Sequence, residues 1–136
     1  AREFLFKQNV ASEVIEHVVN IIAHMSFNKS LEGVLAFTSK ELEVVQDADR
    51  LDAIGAIGLA RVFSFSGSNN RPFYDPKDPF SENRVINDKK WTLDHFFQKL
   101  LTLEKKMNTK TGKTLAKKRT KILKNFLKEI KSEIQP

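Results

Sequence analysis

The sequence predicts an all-α fold. Apolar residues recur at three- and four-residue spacing over residues 10–25, 92–107 and 111–134, the period of a helix with one buried face. No segment alternates apolar and polar residues as a half-buried strand does, and there are no internal repeats. At 136 residues, the chain is expected to form one all-α domain over 1–136.

Composition narrows the class further. Hydrophobic residues make up 40% and charged residues 29%, as in ordinary globular chains. There is no cysteine, which excludes a disulfide framework and a thiolate metal site and fits a reducing, cytoplasmic setting. No apolar run approaches membrane-spanning length, so no membrane partner is expected. The net charge of +6 is unevenly spread, because residues 92–136 hold twelve Lys and Arg against four acids.

Taken in order, residues 10–25 give the first strong helix. Ser12 is placed to cap it, with Glu16 in its first turns, and Val14, Val18, Ile21, Ile22 and Met25 form its apolar face. His17 and His24 share a face two turns apart, roughly 10 Å, too far to ligate one ion at about 2 Å. Residues 26–30 read as a turn and 31–37 as a short helical segment. Thr38-Ser39 caps the next helix, with Glu41 and Glu43 in its first turn.

That helix is expected to run to Phe63 or Phe65 and holds the most informative stretch of the chain, from Glu43 to Phe63. At 100° per residue Asp49, Ala53, Ala56 and Ala60 fall on one stripe, which turns Asp49 toward packed protein. A buried carboxylate must be paired, hydrogen-bonded or bound to a metal. Asp47 lies within reach of Arg50, so a buried Asp–Arg pair is the purely structural alternative. Gly55 and Gly58 weaken a helix and suggest close approach by a neighbouring backbone.

Residues 64–91 are irregular, with Gly67, Pro72, Pro76 and Pro79, yet seven large apolar residues punctuate them. Such a loop is either a lid over a site or a packed surface loop, lying over the end of the Asp49 helix. Thr92 then caps a helix to Met107. The last helix buries Leu115, Ile122, Phe126 and Ile130. Lys110, Lys113, Lys117, Lys121, Lys124, Lys128 and Lys131 line another face of it: a solvated face, or a ridge for nucleic acid or an acidic partner. Residues 109–114 mimic a phosphate loop, but Met107 stands where its first glycine is needed and a helix precedes it.

Val45-Gln46-Asp47-Ala48-Asp49-Arg50-Leu51-Asp52-Ala53-Ile54-Gly55-Ala56-Ile57-Gly58 resembles the last metal-ligand motif of the HD-domain phosphohydrolase superfamily, more narrowly that of its small stand-alone bacterial hydrolases. The likeness extends over nearly the whole chain. It includes His24-Met-Ser26-Phe27, Ala60-Arg61-Val62-Phe63, Tyr74-Asp75-Pro76, Asp94-His95-Phe96 with Lys99-Leu100-Leu101, and Met107-Asn108-Thr109 with Gly112-Lys113. It implies an HD-like helical bundle and metal-dependent hydrolysis of a phosphate ester or anhydride, a nucleotide among the expected substrates. The ion would be Mn, Mg, Ni, Fe or Zn. The resemblance makes Asp49 the metal ligand, since it stands directly before Arg50. Asp52 becomes a candidate catalytic residue, and Arg50, His24, Lys99 and Lys113 candidates for supporting the metal shell or the substrate phosphate. The family's His-Asp dyad has no counterpart, for no His-Asp dipeptide occurs in the sequence. The chain is therefore expected to be the C-terminal part of such a domain, inactive and weak in metal binding alone, and completed by an N-terminal segment or a homo-oligomer partner.

Overall fold

The computed structural model describes residues 1–25 and 37–134. The predicted turn at 26–30 and nearly all of the segment at 31–37 lie outside the described residues. Every regular element among those described is helical: α1 (Arg2–Lys7), α2 (Ser12–His24), α3 (Lys40–Asp52), α4 (Gly55–Ser68), α5 (Thr92–Gln98), a 3-10 helix (Leu100–Lys106) and α6 (Lys110–Ile134). The chain divides into two compact units, Ala1–Gln46 and Asp47–Pro136, with the boundary inside α3.

In the first unit α1 packs on α2, and Arg2 pairs with Glu16. Ser12 does not cap α2: it is the first helical residue, Ala11 holds the cap position and no side chain bonds there. The predicted apolar face is only partly used: Val18 and Ile21 are partly buried, Val14 and Ile22 stand half exposed, and the buried residue is Ile15, outside that face. At the start of α3 the prediction holds, as the Leu42 N–H donates to the Ser39 hydroxyl at 3.1 Å.

The second unit holds the main core, built from Ile54, Leu93, Phe96, Leu100, Leu103, Met107, Ala116, Leu123 and Leu127. Helix α6 packs on α4 and on the 3-10 helix. Its buried stripe is Gly112, Ala116, Thr120, Leu123 and Leu127, one position away from the expected one. Leu115 and Ile122 are exposed by about two fifths (39% and 42%). Small residues at 112, 116 and 120 let the neighbouring helices approach, and that closeness decides the register over bulk hydrophobicity. Phe63, Phe96 and Phe126 meet with centroids 5.4–6.0 Å apart, a spacing at which aromatic pairs attract.

The expected single helix from Lys40 to Phe63 is two helices. Gly55 has φ +82°, a left-handed conformation that glycine adopts without steric cost. A Cβ there would lie 3.1 Å from Arg119 Cγ. Arg119 donates to the Leu51 carbonyl, which also accepts the Ile54 N–H, so both lone pairs of this acceptor near the end of α3 are used. The close approach at Gly55 comes from a side chain, not from the expected backbone, whereas a Cβ at Gly58 would meet the Ala53 carbonyl; the two glycines flank a break that Ile54, 1% exposed, plugs. The predicted helix 92–107 is also divided. Lys99, at φ −130° and ψ −60°, interrupts it, and the tighter 3-10 turn stacks Leu100 and Leu103 on one side.

Residues 69–91 form a loop whose ends are closed, with Thr92 N–H and hydroxyl both donating to the Pro72 carbonyl and Leu93 N–H to that of Phe73. Thr92 is accordingly helical and buried, not a cap. The loop folds back on the end of α4, where Phe73 stacks on Phe63 at 4.5 Å. Its hub is Arg84, which donates to both oxygens of Asp94, at 2.6 and 2.7 Å. Asp94 also accepts from Asn87 N–H and the Ser81 hydroxyl. Burial pushes the Asp94 carboxyl up, but the Arg84 fork, Asn87 and Ser81 outweigh it, so it titrates below its usual range.

Because this folded value lies below the unfolded one near pH ~3.9, Asp94 contributes stability above that pH, and the contribution is lost as pH falls through the folded value. Asp94→Asn is expected to cost about 3 kcal/mol at pH 7 and to flatten the acid side of the stability profile. Urea unfolding at pH 7 and pH 3 measures both effects. Gly55→Ala is expected to cost more than about 1 kcal/mol, since it adds a strained φ to the Arg119 contact. An unchanged urea midpoint would contradict that.

Candidate functional site

The predicted roles of Asp47 and Asp49 differ from what the structure shows in one respect. Asp47 is the buried acid, 3% exposed. It accepts the N–H groups of Asn108 and Thr109, both at 2.8 Å, and the Thr109 hydroxyl at 2.7 Å. Arg50 lies 3.4 Å away, as the i,i+3 spacing predicted, and donates to the Lys106 carbonyl at 2.6 Å. Burial pushes the Asp47 carboxyl up, but the Asn108 and Thr109 hydrogen bonds and the Arg50 charge lower it further, with a net shift downward.

Asp49 is exposed, which corrects the expectation that it faces packed protein. The physical reason is angular. Two residues on a helix turn through about 200°, so an inward Asp47 sends Asp49 outward. The alanine stripe is only partly packed: the helix breaks after Asp52, Ala53 packs against the core, and Ala56 and Ala60 are exposed. Among the described residues Asp49 makes no side-chain hydrogen bond or ion pair. Asp52, three residues on and on the same side, is exposed and pairs with Arg61 of α4.

Arg61 lines a cleft of about 660 Å³ in the second unit. Ile57 and Phe65 flank it along α4, and Arg71, Lys89 and Lys99 add positive charge. His95 and Asp88 also line the cleft and lie 3.0 Å apart, from Nδ1 to a carboxylate oxygen. Lys99, a candidate phosphate contact from the sequence, lines this cleft. Lys113 is on the exposed lysine face of α6, where all seven predicted lysines are exposed and Lys131 pairs with Glu82. Arg50 is engaged with Asp47 and the Lys106 carbonyl. His24 belongs to the first unit, with Nδ1 2.8 Å from the Asn20 carbonyl. His17 lies 3.3 Å from Glu41.

Sequence reasoning missed Arg61, Arg71 and the His95–Asp88 pair as members of one cleft. Arg61 and Phe65 lie four residues apart, so the helical period could have grouped them. Asp88 and Arg71 sit in irregular chain, where no period places a side chain. No group of three or more His, Cys, Asp or Glu that would hold a metal ion occurs among the described residues. The donors present do not complete a metal centre: Asp49 is one exposed carboxylate, Asp52 is tied to Arg61 and His95 to Asp88.

No protein-family model matches the chain. The Bacillus subtilis protein YpgQ is 37% identical over 125 residues, covering 92% of this chain and 55% of YpgQ. A Lactobacillus plantarum crystal structure is 39% identical with a TM-score of 0.76, covering 95% of this chain and 64% of that one. An HD-superfamily hydrolase from Bacillus thuringiensis is 36% identical with a TM-score of 0.72, covering 98% and 61%. YpgQ has also been crystallised in complex with ADP, and that structure matches with a TM-score of 0.75 at 34% identity. The all-helical fold and these relatives define the class: the chain belongs to the HD superfamily. It spans about half the length of YpgQ, the curated relative it matches (55%).

Proposed function

We propose that the chain forms the substrate-binding part of an HD-superfamily phosphohydrolase acting on a phosphate ester or anhydride of a nucleotide. One observation carries this reading: the exposed acids of α3 are linked through the Asp52–Arg61 pair to a cationic cleft. Phosphoryl transfer requires mainly positioning and electrostatic stabilisation. Arg61, Arg71, Lys89 and Lys99 offer charge for binding and orienting phosphate oxygens. The ADP complex of YpgQ supports a nucleotide over a simple ester.

HD-superfamily hydrolases generally use a divalent ion, which polarises phosphoryl oxygen and acidifies bound water. In this chain we assign Asp49 as a ligand. It is exposed, makes no competing side-chain contact among the described residues, and stands in the motif that resembles the family's last ligand. Since the described donors do not complete a centre, we infer that further ligands come from residues other than those described. The predicted inactivity and weak metal binding of the 136-residue chain alone rest on the same inventory. Asp52 is read as holding Arg61 at the cleft edge, in place of a direct catalytic role.

In the full-length protein Asp49→Ala is expected to lower metal-dependent phosphate release by more than about 100-fold, beyond the loss typical of residues behind the ligands. Stability should change by less than about 0.5 kcal/mol, as for an exposed side chain. Phosphate release at matched manganese, beside thermal unfolding, is the measurement, and wild-type turnover in the variant would refute the assignment.

A second reading places a polyanion on the exposed lysines of α6. It predicts binding of single- or double-stranded nucleic acid that weakens steeply between 50 and 200 mM salt, by about a thousandfold if six phosphates are contacted. A salt titration that shows no binding at 50 mM removes it.

A further inference from the structure

The cleft is not uniform, and its asymmetry has a chemical meaning. Along α4, Ile57, Arg61 and Phe65 follow one another four residues apart, about 6 Å per step. Phe65 is 58% exposed although it is a large aromatic at the wall of a cleft. Arg71 lies over its ring, 5.5 Å from guanidinium carbon to centroid. One end of the cleft therefore presents an aromatic face with an adjacent cationic plane. This combination stacks on nucleobases, since every base has a π-face.

The remaining polar groups lie on other elements. His95 and Lys99 are four residues apart on α5 and its end, and Asp88 orients the His95 ring through Nδ1. Arg61 stands one step along α4 from Phe65 and pairs with Asp52, which is one turn of α3 from Asp49. Asp52 and Asp88 each engage one partner, so Arg71, Lys89 and Lys99 leave the cleft positively charged. An uncharged apolar ligand would not use that charge, and inorganic phosphate alone would not use the Phe65 face.

We propose that the cleft takes a nucleotide in one direction, with the base against Phe65 beside Arg71 and the phosphates toward Arg61, His95 and Lys99. This deepens the phosphohydrolase reading, on which it rests, by assigning a base subsite and an orientation. It brings the phosphate end toward the α3 edge that carries Asp52 and Asp49.

The test separates base from phosphate recognition by measuring binding rather than turnover. Full-length protein is titrated by calorimetry with ADP and with inorganic tripolyphosphate, which has no base. Phe65→Ala is expected to weaken ADP about tenfold or more, the range of base–aromatic stacking, and to leave tripolyphosphate unchanged. Phe65→Trp should retain ADP binding, with its indole fluorescence quenched by ADP and unaffected by tripolyphosphate. Lys99→Gln should weaken both ligands. The proposal is overturned if Phe65→Ala leaves ADP binding intact or weakens both ligands equally, or if Lys99→Gln leaves tripolyphosphate binding unchanged. The same titrations in the Asp49→Ala protein keep the two readings apart: base-dependent binding should persist there whether or not hydrolysis is lost.

Discussion

The Asp47 carboxylate is the constraint on which the second unit depends. It is almost fully buried, and it tolerates burial because two backbone N–H groups, a hydroxyl and Arg50 turn toward it. Removing a buried charge from its partners costs several kcal/mol, so this contact fixes the end of α3 against the turn that starts α6. Thr109 extends the connection. Its hydroxyl donates to Asp47 and accepts the Gly112 N–H at 2.9 Å, satisfying an open donor in the first turn of α6. One carboxylate thus anchors the end of α3 and the start of the 25-residue helix that closes the core.

The site geometry follows from that anchor. With Asp47 turned inward, the helical period sends Asp49 and Asp52 outward together. The break at Gly55 then lets α4 leave in a new direction, so Arg61 meets Asp52 across the bend. Arg119 stabilises the bend from α6 by reaching the Leu51 carbonyl. On the other wall, Arg84 and Asp94 hold the loop that delivers Asp88 to His95. Asp94 and His95 are neighbours on α5, one directed into the loop hub and the other to the cleft.

Helix existence was legible in the sequence because apolar periodicity is a local property. Helix continuity was not. The 3.6-residue period runs through Asp52 to Gly55 without interruption on paper, and only φ at Gly55 and the reach of Arg119, 64 positions later, reveal the bend. The register of α6 failed for a related reason. Leu115 and Ile122 look more suited to a core than Gly112 and Thr120, yet close helix approach favours small side chains. The burial expected of Asp49 fails because the alanine stripe presumes an unbroken helix with its alanines as a contact surface. The Asp47–Arg50 pair was foreseen, since it needs only i,i+3 spacing. The hydrogen bonds from Asn108 and Thr109 were not, being sixty residues away in sequence. The ordered series of motifs carried the superfamily without any of this geometry.

The ion pairs of the second unit fall into two kinds, and the division bears on function. Arg84–Asp94 and Arg50–Asp47 are mostly or fully withdrawn from water, and breaking either strands a charge. Arg61–Asp52 is more than half exposed on both sides, where an ion pair contributes about 0–1 kcal/mol. On the proposed function a phosphate in the cleft would recruit Arg61 at small cost, while the buried pairs keep the end of α3, α5 and the loop in place. A rigid frame with a weakly held cation at its edge suits a site whose ligand brings the opposite charge. The same weak pairing gives Asp52 a role short of catalysis: held loosely, the Arg61 guanidinium stays at the cleft edge with its charge partly balanced.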